Sequence, residues 1–355
     1  MRKSLQKIAA LVDGLIAGDP FPEGIRPDYL QKAVRDYPAR GGKRLRPALV
    51  VWCGTLFAPE AEERLWRPAA AVEIFHNWTL VHDDIIDRDD FRRREPTCHV
   101  RLAEDLRPFA LPETERKHMA SGFAMLAGDL QHAWATDLLL RSAEMGIRSE
   151  VALAMARNMA YLGSHELISG EALDMELSLR PVETILPEEA GGMIDLKTGA
   201  LLKLAAQTGA MAALQTADVR RPEVEAVGQF ALHCGRAFQM QDDLLGIFGS
   251  APKLGKPIGN DLREAKRTPL LLTALQKLSP AGRRELTGLL HRPDYTEEDL
   301  NRARELMTGC GAKDAVERRI AQLTDACARE LESLPDGDSR RILLEFAAYL
   351  AKRNS

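Results

Sequence analysis

Apolar residues recur at helical spacing along almost the whole chain, and strand-like alternation bounded by turns is hard to find. Ala, Leu, Glu and Arg are abundant and aromatic residues make up only 5% of the 355 positions, a composition that favours helix. The expected class is therefore all-α. A length prior would allow two domains, but no linker demands a split, so a single domain over 1–355 is expected.

The breakers mark out the segments. Pro20, Pro22 and Pro27 end a first amphipathic helix, and Gly41-Gly42 precedes an apolar run from Lys43 to Phe57. Helices are expected over about 66–87, 120–141, 150–169, 187–208 and 221–248, with weaker amphipathic ones toward the C-terminus. Residues 104–118 are polar and hold Pro108 and Pro112, which reads as a loop or short insertion. Residues 249–261 are rich in Gly and Pro and read as a second loop.

Two of these helices end in acid. One closes on Val81-His82-Asp83-Asp84-Ile85-Ile86-Asp87, the other carries Phe238-Gln239-Met240-Gln241-Asp242-Asp243. Carboxylates at the end of an apolar run are costly without compensating charge. That charge is nearby: Arg92, Arg93 and Arg94 follow the first cluster, and Lys256 and Lys266 the second. Carboxylates for Mg²⁺ beside cations for phosphate point to a diphosphate site. A Gly-Gly turn feeding Lys43 and Arg46 into a helix start also favours an anion.

On a helical wheel Asp87 lies about 40° from Asp83, so the two share a face that continues through Thr79, His76 and Val72. Asp84 lies about 100° away and is expected to support rather than ligate. Asp242 sits above Phe238, Gly235 and Ala231, a face of small residues and one ring.

Other classes find no footing. A net charge of −4 gives no reason to propose a nucleic-acid partner. Five scattered cysteines without a CxxC pair argue against a disulfide framework or zinc site and fit a reducing cytoplasm. Asp13 interrupts the apolar stretch behind Met1-Arg2-Lys3, a poor signal peptide, and no run of about 18 apolar residues predicts a membrane span.

Taken together, the Gly41–Pro47 motif, the two acidic clusters, Lys197-Thr198, Gly255-Lys256 and Asp261 to Lys266 resemble the trans-isoprenyl diphosphate synthases of the polyprenyl synthetase family, in the family's order and spacing. The resemblance implies a helical bundle around a deep central cavity and a homodimer. It implies a prenyltransferase that joins isopentenyl diphosphate to an allylic prenyl diphosphate. Asp83, Asp87 and Asp242 would hold Mg²⁺, with Asp84 and Asp243 in support. Arg92, Lys197, Gln239 and Lys256 would hold the allylic diphosphate, and Lys43, Arg46, His76 and Arg93 the isopentenyl diphosphate. Thr198 and Lys266 would act near the reacting end. Phe75, Trp78 and Thr79 would bear on product length, farnesyl or geranylgeranyl diphosphate. For Trp78 that rests on the resemblance alone, since it lies about 140° from Asp83 on the wheel.

Four departures stand out. The second cluster's fifth place is Gly246 where the family usually has aspartate. Arg94 stands where Arg-Arg-Gly is common, Gln131-His132 replaces small or apolar residues, and the 104–118 stretch is long. Two other readings stay open: a class I terpene cyclase, which would leave Lys43, Arg46 and Arg93 without a task, and a non-catalytic subunit, which would be expected to lose its aspartates.

Overall fold

The computed structural model describes residues 1–92, 94–249, 259–290, 292 and 295–352. In chain order its helices are α1 (Arg2–Ala17), α2 (Asp28–Ala39), α3 (Leu45–Thr55), α4 (Glu62–Ile86), α5 (Cys98–Asp105), α6 (Glu113–Arg141), α7 (Ser149–Asn158), α8 (Leu167–Leu179), α9 (Pro187–Ile194), α10 (Ala200–Leu214), α11 (Pro222–Phe248), α12 (Asn260–Arg263), α13 (Pro269–Lys277), α14 (Pro280–Gly288), α15 (Glu297–Gly309), α16 (Ala312–Leu331) and α17 (Asp338–Ala351). π-Helical turns link α7 to α8 over Met159–Glu166 and α9 to α10 over Asp195–Gly199. Among the described residues the strands are one antiparallel ribbon, Phe91–Arg92 against Glu95–Pro96. None of the described helices is long and apolar enough to cross a membrane.

The expected loop over 104–118 is mostly helical. α5 runs to Asp105, a 3₁₀ turn covers Arg107–Phe109, and α6 starts at Glu113 directly after Pro112. Glu113 and Glu115 in that first turn complement the positive end of the helix. The polarity of this stretch is that of a solvated helix face. Helix α2 had no clear sequence signal, since Pro38 lies inside it.

Residues 1–159 with 205–224 form one compact unit, and residues 160–204 with 225–355 a second. In the first unit α4 packs on α3 and α6, and α3 is buried from Pro47 to Gly54. Arg44, at the N-terminal end of α3 with φ +48°, points inward. Its guanidinium lies 2.7 Å from Asp13 of α1, 2.5 Å from Glu73 of α4 and 2.7 Å from the Pro38 carbonyl of α2. Burial disfavours the charge, but the two carboxylates outweigh it and hold Arg44 protonated. Four helices are thus tied to one buried cation.

The second unit is built around α13, where Leu270, Leu271, Leu272, Ala274 and Leu275 are all buried. Thr268 caps this helix by accepting from the Leu271 amide. Arg267 donates to the carbonyls of Leu177, Ser178 and Arg180 at the C-terminal end of α8, where helix carbonyls run out of intrahelical donors. These two anchors fix the backbone immediately after Lys266.

Candidate active site

In the first unit the end of α4 presents Asp83 and Asp87 one turn apart, with carboxylate oxygens within 4.8 Å of each other. The shared face expected from the wheel is what is found. Asp84 is fully buried. The Tyr37 hydroxyl donates to its Oδ2, and Arg92 Nε lies 2.6 Å from its Oδ1. A second nitrogen of Arg92 lies 3.0 Å from Asp83 Oδ2. Arg92 therefore braces Asp83 against Asp84. Burial opposes its charge, yet Asp84 and Asp83 drive its pKa up. Burial, then the bond to Asp84, keeps the Tyr37 hydroxyl protonated and therefore a donor. Tyr37, which also accepts from the Cys98 amide, escaped the sequence reading because it belongs to no motif.

The ribbon sets Arg92 opposite Glu95, and Arg94 in its turn has φ +69°. That left-handed conformation is easy for glycine and strained for arginine, a physical reason for the glycine that the resemblance leads one to expect here. Arg93 lies outside the described residues.

Arg46 and His76 meet, with a guanidinium nitrogen 3.0 Å from Nε2, and His76 Nδ1 lies 3.4 Å from Thr79 Oγ1. Lys43 is exposed. Deeper along α4, the Phe75 and Trp78 rings lie 4.7 Å apart edge to face. His132 of α6 sits 5.4 Å from Phe75 and 4.9 Å from Trp78, and burial lowers its pKa. The neighbouring Gln131 is buried and donates to the Val34 carbonyl at 2.9 Å. Both residues that depart from the usual pattern thus have structural partners within the unit.

In the second unit α11 carries Asp242 and Asp243. Gln239 Nε2 donates to Asp243 Oδ1 at 3.1 Å, and Thr198 Oγ1 donates to Gln239 Oε1 at 3.4 Å. Lys197 and Thr198 lie on the π-helical turn. Lys197 Nζ is 2.8 Å from Glu171 and 2.8 Å from Asp174 of α8. The turn can come this close because α8 offers Gly170 there: a Cβ at that place would fall 2.4 Å from the Lys197 amide nitrogen. Glu171 and Asp174 were missed from the sequence, since nothing local marks two acids on an amphipathic helix as partners of a distant lysine. Lys256 lies outside the described residues.

Burial pushes the Asp243 carboxyl up to about 7, against the opposing pull of Lys266 and Gln239. Burial works against the Lys266 charge, but Asp261, Asp243 and Asp174 raise its pKa overall. The raised Asp243 pKa carries a stability signature. Between its ordinary 3.8 and about 7 the folded protein keeps a proton that the unfolded chain has released, so stability falls as pH rises through that window. Asp243→Asn removes this penalty, which can reach roughly 4 kcal/mol. In EDTA its melting temperature should exceed that of the unsubstituted protein at pH 8 and converge with it on acidification. A lower melting temperature at pH 8 would contradict the assignment.

In each unit the donors suit Mg²⁺: hard carboxylate oxygens, few in number, for an ion that prefers to keep water and phosphate ligands. Asp243 Oδ2, buried and without a hydrogen-bond partner among the described residues, is the kind of group such a site completes.

The family described as polyprenyl synthetase matches residues 27–307. The geranylfarnesyl diphosphate synthase of Aeropyrum pernix is 33% identical over 343 residues, covering 93% of this chain and 96% of that protein. The geranylgeranyl diphosphate synthase of Saccharolobus solfataricus is 36% identical over 274 residues, 75% of this chain and 73% of that one. Among solved structures, a geranylgeranyl pyrophosphate synthase from Corynebacterium glutamicum, complexed with isoprenyl diphosphate and magnesium, aligns with a TM-score of 0.83 at 30% identity. The alignment covers 98% of this chain and 99% of that one.

Proposed function

The chain belongs to the polyprenyl synthetase family and is a prenyltransferase, and we propose that it condenses isopentenyl diphosphate with an allylic prenyl diphosphate, head to tail and trans. The observation that carries this reading is the pairing of acid with cation in each unit: Asp83, one turn from Asp87, beside Arg92, and Asp243 beside Lys266. Asp83, Asp87 and Asp242 are the residues that would hold Mg²⁺. When bound, Mg²⁺ adds positive charge beside a diphosphate leaving group.

The allylic C–O bond breaks with its electron pair leaving on diphosphate. Lys197 and Lys266 are charged and stand where negative charge grows, so they stabilise the transition state more than the ground state. Arg46, His76 and Lys43 hold the isopentenyl diphosphate. Its double bond attacks the allylic cation, a C–C bond forms, and a proton passes from the adjacent carbon to the departing diphosphate as the new double bond closes. No side-chain nucleophile takes part. The apolar wall of Phe75 and Trp78 keeps water from the cation.

Incubating the purified chain with MgCl₂, isopentenyl diphosphate and each short allylic starter tests the reading by product chromatography. Turnover of one prenyl diphosphate without isopentenyl diphosphate would favour a cyclase. No product from the homomeric protein would favour a subunit that needs a catalytic partner.

The product is geranylgeranyl or farnesyl diphosphate, a reading supported by the mutually packed rings of Phe75, Trp78 and His132 in the part of α4 that precedes the first cluster and in α6. Phe75→Ala or Trp78→Ala should lengthen the product. Unchanged products in both variants, or a parent product longer than geranylfarnesyl diphosphate, would place the stop elsewhere. Met119, Leu126 and Leu140 of α6 are exposed in one stripe, seven and fourteen residues apart, which supports a homodimer. Sedimentation velocity reads this directly, and a monomer would refute it.

A further inference from the structure

The fifth place of the second acidic motif is empty of acid, and the space beside it is not. Position 246 lies one helical turn beyond Asp242 on the same face of α11. A Cβ at Gly246 would fall 2.5 Å from Asp261 Oδ2, so the Asp261 carboxylate already occupies the start of the missing side chain's path. The approach is built in. The Gly259 amide donates to the Gly246 carbonyl at 2.9 Å, and the Lys266 amide to the Asp261 carbonyl at 2.7 Å. The segment holding Asp261 is thereby pinned to α11 at one end and to the Lys266 turn at the other. Nearby, Asp243 is 3% exposed with Oδ2 unpartnered among the described residues, and Asp261 and Asp242 are the carboxylates whose charge acts on it.

We propose that Asp261 supplies the third carboxylate of the second acidic motif, from a separate turn of the chain, as a positioning residue for the divalent cation held by Asp242. This rests on the function proposed above. Glycine at 246 leaves the Asp261 carboxylate its place, because any side chain there would force that carboxylate to shift. The second cluster, which by sequence looks one acid short, is complete in number.

The test follows the thermal shift of the full chain in a MgCl₂ titration at fixed inorganic pyrophosphate. Asp261→Asn, nearly unchanged in shape, should raise the Mg²⁺ midpoint roughly 10–100-fold, the usual cost of losing an outer partner of a metal site. The metal-free melting temperature should stay close to that of the parent. Exchanging the two residues, Gly246→Asp with Asp261→Gly, should bring the midpoint back toward the parent value. An unchanged midpoint in Asp261→Asn overturns the inference, as does an exchanged variant that folds but titrates like Asp261→Asn. If the parent itself shows no Mg²⁺-dependent response to pyrophosphate, the proposed function fails first. A parent that responds while Asp261→Asn matches it sinks the role of Asp261 alone.

Discussion

Alanine at Asp83 or Asp242 should lower kcat by about 10²–10³-fold, the loss typical of removing one preorganised electrostatic contact from a charged transition state. The ionisation step sets this size. Charge separates as the C–O bond breaks, and the rings proposed to wall the site would solvate it poorly. A carboxylate that fixes a cation beside the leaving group acts more strongly on the transition state than on bound substrate, so kcat should fall more than KM rises. Folding should survive. With Asp83 gone, Arg92 retains its bond to the buried Asp84 at 2.6 Å. Steady-state kinetics at saturating isopentenyl diphosphate, with melting curves for each variant, checks both halves. The double variant should fall well short of the product of the single losses, because both carboxylates are proposed to serve one event. A loss below tenfold with an intact fold would remove that residue from the metal site.

The largest effect on stability should come from Arg44→Met, about 3–5 kcal/mol. Arg44 is 4% exposed and Glu73 6%, so deleting the guanidinium strands a buried carboxylate and leaves the Pro38 carbonyl without that donor. A second substitution should return much of the loss. Arg44→Met with Glu73→Leu replaces the buried pair by apolar volume, an exchange that is often neutral or better. Urea denaturation with an unchanged m-value separates the two cases. A single-variant loss under about 1 kcal/mol would mean that Glu73 finds another partner.

Arg44 and Arg46 also show where sequence reading stops. Both are cations in one motif, and composition cannot tell the buried tie from the residue that reaches His76. The distinction is made by a positive φ at Arg44 and by carboxylates 29 and 31 residues away. The same holds for Arg92. An arginine after an acidic cluster reads as an anion binder, and only the fold reveals that it joins Asp83 to Asp84. The long helices and the Asp83–Asp87 face were legible because a 3.6-residue period is written directly in the chain. The 104–118 stretch was not, because an exposed helix and a loop share the same polar vocabulary. Gly246 read as a loss because its counterpart, Asp261, is a neighbour only in space.

The widened turn at Asp195–Gly199 has a consequence for how this enzyme can vary. A π-helical turn holds one residue more than the α-helical turn it replaces, so it works as a phase shifter within an unbroken rod. Lys197 answers to Glu171 and Asp174 while its neighbour Thr198 answers to Gln239 on another helix. Point substitutions can retune either partnership without touching the other. A single-residue deletion would instead rewind the turn into plain α-helix, leaving the rod beyond in phase but removing the extra residue that lets Lys197 and Thr198 face different helices. Residue count across these five positions is therefore under tighter constraint than the identity of most of them.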